Sequence, residues 1–159
     1  MNRTHSSPEQ NDASLWFNNT WVSIHRSAHD GPDGLAIIEH RLPCGDSPPL
    51  HVHHHEDEVF HVLSGTLQLR VGDEELTAQA GQTVVAPKGI AHSYRALSPE
   101  GVHCVTVTTG RGFETLVRSV SRPADAATLP EPAVPTPEQI AVLAGVAASN
   151  GIDLVGPPL

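Results

Sequence analysis

The sequence predicts an all-β domain closed into a sandwich or barrel, followed by one C-terminal helix. Three observations carry this expectation. Between Trp16 and about Val120 the chain is a series of short β-like runs divided by turn residues, with no sustained helical period. Such a set of short strands needs a layered or closed arrangement, because an open antiparallel sheet leaves its edges unpaired. Beyond residue 121 the composition shifts to proline and alanine, and an apolar stripe at helical spacing appears near the end.

The elements follow in order. Residues 1–14, MNRTHSSPEQNDAS, are polar and aperiodic, which predicts a disordered arm, and they lack the apolar centre of a signal peptide. The expected strands are 21–26, 35–42, 58–64, 66–71, 83–87, 92–97 and 102–109. Between them lie HDGPDG, SG, VGDEE, AGQ, PKG and SPEG, all rich in turn formers. A β-barrel over 15–121 thus precedes a Pro/Ala-rich linker over 122–135 and a helix and tail over 136–159. Thr136, Pro137 and Gln139 supply an N-cap, a first-position proline and a capping box. Ile140, Leu143, Val146 and Ala147 form the apolar stripe, and Asn150-Gly151 ends the helix.

At 159 residues the chain suits a single domain with a real core. Nine basic against eighteen acidic residues give a net charge of −9, which argues against a nucleic-acid partner. No apolar run is long enough to span a bilayer, so no membrane partner is expected. Cys44 and Cys104 are too few for a disulfide framework and are not spaced as a zinc-finger set, which predicts a cytoplasmic protein with reduced thiols.

The chemistry concentrates in GDSPPLHVHHHEDEVFHVLSG, residues 45–65, with five histidines and four acidic residues. His51 and His53 are two apart, so an extended strand points both rings to one face. Residues 54–57 are polar enough for a turn, and Glu58, Phe60 and Val62 then share a face of the next strand, opposite Val59, His61 and Leu63. If the turn is a hairpin, Glu58 returns beside the two histidines. Glu56 and Asp57 are rival carboxylates; strand alternation and the spacing to Gly65 select Glu58. His54 and His55 read as solvated turn residues, and His61 points away.

A second stretch, GQTVVAPKGIAHSY over 81–94, supplies His92 after a Pro-Lys-Gly turn, with Tyr94 on the same face. Three imidazoles and one carboxylate make a mixed nitrogen and oxygen site for one divalent first-row metal per chain: iron, nickel, cobalt, manganese or zinc. Phe60, Val62 and Tyr94 are expected to share the interior beside it as a substrate pocket.

Two spacings give a resemblance. Gly45-x5-His51-x-His53-x4-Glu58-x6-Gly65 resembles the first cupin motif, and Gly81-x5-Pro87-x-Gly89-x2-His92 the second. The second motif ends in a non-ligating Asn, where this chain has Ala96. SPPLHVHHHEDEVFHVLSG, APKGIAHSY, Gly112-Phe113-Glu114 and NGIDLVGPP are similar to small single-domain bacterial cupins of the quercetinase-like, flavonol dioxygenase-like group. The resemblance implies a jelly-roll β-barrel (a double-stranded β-helix) and a homodimer. It implies His51, His53, Glu58 and His92 as metal ligands, with Glu58 also the catalytic proton acceptor.

Function is then expected to be metal-dependent oxygenation of a small enolic or phenolic substrate by dioxygen. A non-oxidative isomerase, lyase or decarboxylase uses the same four ligands with the metal as Lewis acid. A non-catalytic binding module ranks third, since it is expected to have lost ligands or gained a DNA-binding domain. The scarcity of basic residues near the motifs disfavours a phosphorylated substrate.

Overall fold

The computed structural model describes residues 14–159; the expected N-terminal arm lies almost wholly outside them. Among the described residues twelve strands form two antiparallel sheets. The strands are β1 (Leu15–Phe17), β2 (Thr20–Arg26), β3 (Ala36–Leu42), β4 (Leu50–His53), β5 (Glu58–Ser64) and β6 (Thr66–Val71). They continue as β7 (Glu74–Gln79), β8 (Thr83–Ala86), β9 (His92–Ala96), β10 (Val102–Thr108), β11 (Arg122–Pro123) and β12 (Ile152–Gly156). Two helices, α1 (Gly112–Val120) and α2 (Pro137–Ser149), complete the described residues. One sheet runs β11-β1-β2-β3-β10-β5-β8 and the other β12-β4-β9-β6-β7. From β3 to β10 nearly every connection carries the chain across to the opposite sheet, which is the winding of a jelly roll.

Alternation explains the sandwich. In β3, Ala36, Ile38, His40 and Leu42 are buried while the residues between them are half-buried, and β10 repeats the pattern. The main core joins Leu42, Phe60, Val62, Val102 and Cys104 of one sheet to Leu67, Leu69, Ala78 and Ala96 of the other. Each fully buried Leu or Phe there contributes roughly 1.5–3 kcal/mol. Ala96 is 1% exposed, so the small residue at the motif's Asn position is part of this core. Gly65 alone links β5 to β6 at φ +85°, and a Cβ there would stand 2.6 Å from the Gly101 carbonyl oxygen.

Several elements depart from expectation. The VGDEE turn is shorter than read: Val71 pairs directly with Glu74 across a Gly72-Asp73 turn, and β7 follows as an edge strand whose one buried residue is Ala78. Its polar outer face hid the alternation. The region before residue 121 does contain a helix, α1, whose Phe113, Leu116, Val117 and Val120 stand at helical spacing. Its Glu114 is fully buried and accepts hydrogen bonds from Ser27 Oγ, the Ala28 N–H and Arg118 Nε. The C-terminal tail is a strand: β12 pairs with β4. The helix α2 begins with the Thr136–Gln139 capping box, but its stripe is only partly covered, with Ala147 buried and Ile140 exposed. It packs with α1 and β12 through Leu116, Ala147, Ile152 and Leu143. No helix among the described residues is long and apolar enough to cross a membrane.

Candidate metal centre

The strand β4 lies between β9 and β12, with His51 opposite His92 on one side and Leu154 on the other. His51 and His53, two apart, both face inward. The expected hairpin to Glu58 does not form. The strand β5 sits in the opposite sheet between β10 and β8, and residues 54–57 cross the gap. Edge pairing of β4 with β9 and β12 leaves no room for β5 beside it, so Glu58 meets the histidines face to face. The turn before β9 is tied back to β4 by the Gly89 N–H, which donates to the His53 carbonyl at 2.7 Å.

The ligand atoms of His51, His53, Glu58 and His92 all lie within 4.8 Å of one another. His92 Nε2 is 2.9 Å and His53 Nε2 3.4 Å from Glu58 Oε2. The longer of these is a close approach only: the buried His53 Nε2 has no hydrogen-bond partner among the described residues. Each ring is held from behind by its Nδ1–H. His51 donates to the Pro49 carbonyl at 2.8 Å, His92 to the Ile90 carbonyl at 3.0 Å, and His53 to Glu56 Oε1 at 2.9 Å. That anchoring aims all three Nε2 atoms inward, the tautomer and orientation a metal requires. Three such nitrogens, one of them orphaned, and one carboxylate fit a divalent first-row ion.

The charges agree. Burial raises the Glu58 carboxyl, but His53, His92 and His51 around it more than offset this and hold it at about 2. Burial lowers His51 to about 4, with His92 beside it adding to the effect, so its imidazole is neutral. Burial also lowers His92, yet its hydrogen bond to Glu58 outweighs that and raises it overall.

Glu56 was legible only as a rival ligand. Its role is to orient His53: Oε1 accepts from His53 Nδ1 and, at 2.7 Å, from the Phe113 N–H at the start of α1. Gly110 makes room for it, since a Cβ there would lie 2.5 Å from Glu56 Cβ. The signal was its position three residues after His53.

A largely apolar cavity of about 870 Å³ is lined by His51, His53 and Glu58 together with Phe60 and Tyr94. Val62 does not line it. Although on the face of Phe60, it is fully buried among Leu67, Leu69 and Cys104, where the sheets close together. Tyr94 donates its hydroxyl to Asp46 Oδ2 at 3.1 Å, and burial raises Asp46 to about 6. Asp46 and His40 also line the cavity and were not singled out from the sequence. Cys104 does too, its thiol pushed up to about 12 by burial. The outlying histidines face elsewhere: His61 contacts Thr83 Oγ1 and His54 contacts Asp153 Oδ2, both at 2.8 Å.

Residues 38–108 match the family described as Cupin domain. A predicted oxalate decarboxylase of Thermotoga maritima is similar in structure, with a TM-score of 0.56 and 16% identity over 67% of this chain and 98% of that one. An RmlC-like cupin of Shewanella frigidimarina NCIMB 400 gives 0.55 and 16% over 69% and 94%. KdgF from Halomonas sp. gives 0.51 and 22% over 58% and 81%. At these identities the likeness is one of fold. No curated protein matches the chain.

Proposed function

The chain therefore carries a cupin domain, and from the residues gathered in its cavity we propose a metal-dependent enzyme, a dioxygenase of small enolic or phenolic, flavonol-like substrates. The observation that carries this reading is the convergence of three inward Nε2 atoms on one buried carboxylate beside a largely apolar cavity. One divalent first-row ion held by His51, His53, Glu58 and His92 would polarise a substrate oxygen and, if redox-active, pass electrons toward dioxygen.

The chain's own residues supply the rest. Glu58 is ionised and would receive the hydrogen bond of an enol or phenol hydroxyl at a carboxylate oxygen, taking its proton only where a bound metal has acidified that hydroxyl, since a carboxylate held at about 2 is a weak base. Phe60 and Phe113 exclude water and offer ring faces. Tyr94 holds Asp46 in place at the cavity wall. The proposed partners are this substrate, dioxygen and a second copy of the chain; light scattering at twice the 16.9 kDa chain mass tests the last.

Asp46 favours a second reading. With a pKa of about 6 it exchanges protons near neutrality, and a cavity holding an acid and a base suits isomerisation, elimination or decarboxylation. Oxygen-electrode assays with 3-hydroxyflavone separate the two. Oxygen uptake matching flavonol loss, abolished in Glu58→Gln, supports the dioxygenase. Substrate turnover without oxygen uptake, lost in Asp46→Asn, supports the second.

A further inference from the structure

We infer that His40 is a ligand-binding residue of this cavity, holding a hydroxyl group of a neutral aromatic molecule. The inference rests on the reading of the cavity as the substrate site. His40 is an inward residue of β3 between Ile38 and Leu42 and is only 5% exposed. Its register neighbours, Val22 on β2 and Cys104 on β10, offer its ring no strong hydrogen-bonding group. Its Nε2 has no hydrogen-bond partner among the described residues. A buried nitrogen left so keeps its full desolvation penalty, and an apolar side chain would suit the surrounding strand better.

The place of His40 relates it to the metal centre. It lines the same cavity as His51, His53 and Glu58. Its ring stacks on Phe113 with centroids 6.0 Å apart and planes 19° from parallel. Phe113 in turn lies 5.9 Å from the His53 ring. One aromatic ring therefore separates His40 from a ligand histidine.

The ligand class follows from charge and geometry. Burial lowers His40 to about 4, so the ring is neutral near neutral pH. A neutral imidazole nitrogen carries either a proton or a lone pair, and a hydroxyl satisfies both, since it donates and accepts. Asp46, Glu58, Glu131 and Glu138 line the cavity against one cation among the described residues, Arg122, which disfavours an anionic ligand. Aromatic walls favour a ring.

The test compares 2-naphthol with 2-methylnaphthalene, alike in shape and differing in the hydroxyl. Binding is measured on the full chain, as purified and after chelation, with metal content recorded. The wild type is expected to bind 2-naphthol about tenfold tighter, roughly 1.4 kcal/mol. His40→Phe keeps the ring on Phe113 without the nitrogen, and is expected to lose that preference while binding 2-methylnaphthalene unchanged. His40→Gln restores part of it. A preference undiminished in His40→Phe, absent from the wild type, or existing only with metal bound overturns the assignment. Failure to take up metal even after reconstitution, with the preference intact, instead overturns the metal reading alone. If His40→Phe does not fold, His40→Leu gives the same comparison.

Discussion

His53 Nδ1 lies 2.9 Å from Glu56 Oε1, with both side chains buried, so a carboxylate outside the proposed ligand set fixes how His53 presents its free Nε2. The same Glu56 oxygen accepts the Phe113 N–H in the first turn of α1, which couples the helix to the candidate metal centre.

Glu56→Ala is accordingly expected to weaken metal affinity about 10- to 100-fold while leaving all four ligands present. Chelator-competition titration measures this, and Glu56→Gln, which still accepts at one oxygen, is expected to lose less. Unchanged affinity in Glu56→Ala would remove the orienting role.

Gly110→Ala is expected to reach the same site from outside it. The new Cβ meets Glu56 Cβ at 2.5 Å and Oε2 at 2.6 Å, so Glu56 must move and His53 with it. A loss of roughly 1–3 kcal/mol in stability and a fall in metal affinity are expected together. Gly145→Ala, on α2 with nothing within 4 Å, is the control and should stabilise by roughly 0.5–1 kcal/mol.

Val62→Ala should cost stability, roughly 1–3 kcal/mol, without changing affinity for 3-hydroxyflavone, because Val62 is core and does not line the cavity. Phe60→Ala should impair both. Denaturant melts and ligand titration separate the two effects.

His40 gives the metal-free protein a pH dependence of definite sign. Its folded pKa is depressed from 6.5 to about 4, so between those values the unfolded chain binds more protons. The contribution to stability is present above 6.5 and is lost as pH falls through about 4. The thermal midpoint should therefore drop by a few degrees over this window, and His40→Gln should make the curve shallower without flattening it, because His51 is lowered over the same range. An unaltered slope in that variant would place the titration elsewhere.

The four proposed ligands were legible because strand alternation and the first glycine-spaced motif select His51, His53 and Glu58, and the second motif selects His92. How they meet was not. The sequence is equally compatible with a hairpin and with a crossing between sheets, and only the pairing of β4 with β9 and β12 decides. The helix α1 carried its spacing in Phe113, Leu116, Val117 and Val120, but nine residues after a strand made a weak signal. β12 was hidden by its brevity and by the prolines that follow. His40 and Asp46 read as ordinary strand and loop residues, since what distinguishes them is a long-range environment, an unpaired nitrogen and a buried carboxyl.

The most direct test of the central claim is metal content by elemental mass spectrometry on untagged wild type and His92→Ala. The expected result is near one equivalent of iron, nickel, cobalt, manganese or zinc per chain in the wild type, with most of it lost in the variant. A wild type that takes up no such metal after reconstitution, or a variant that retains it in full, would contradict the four-ligand centre.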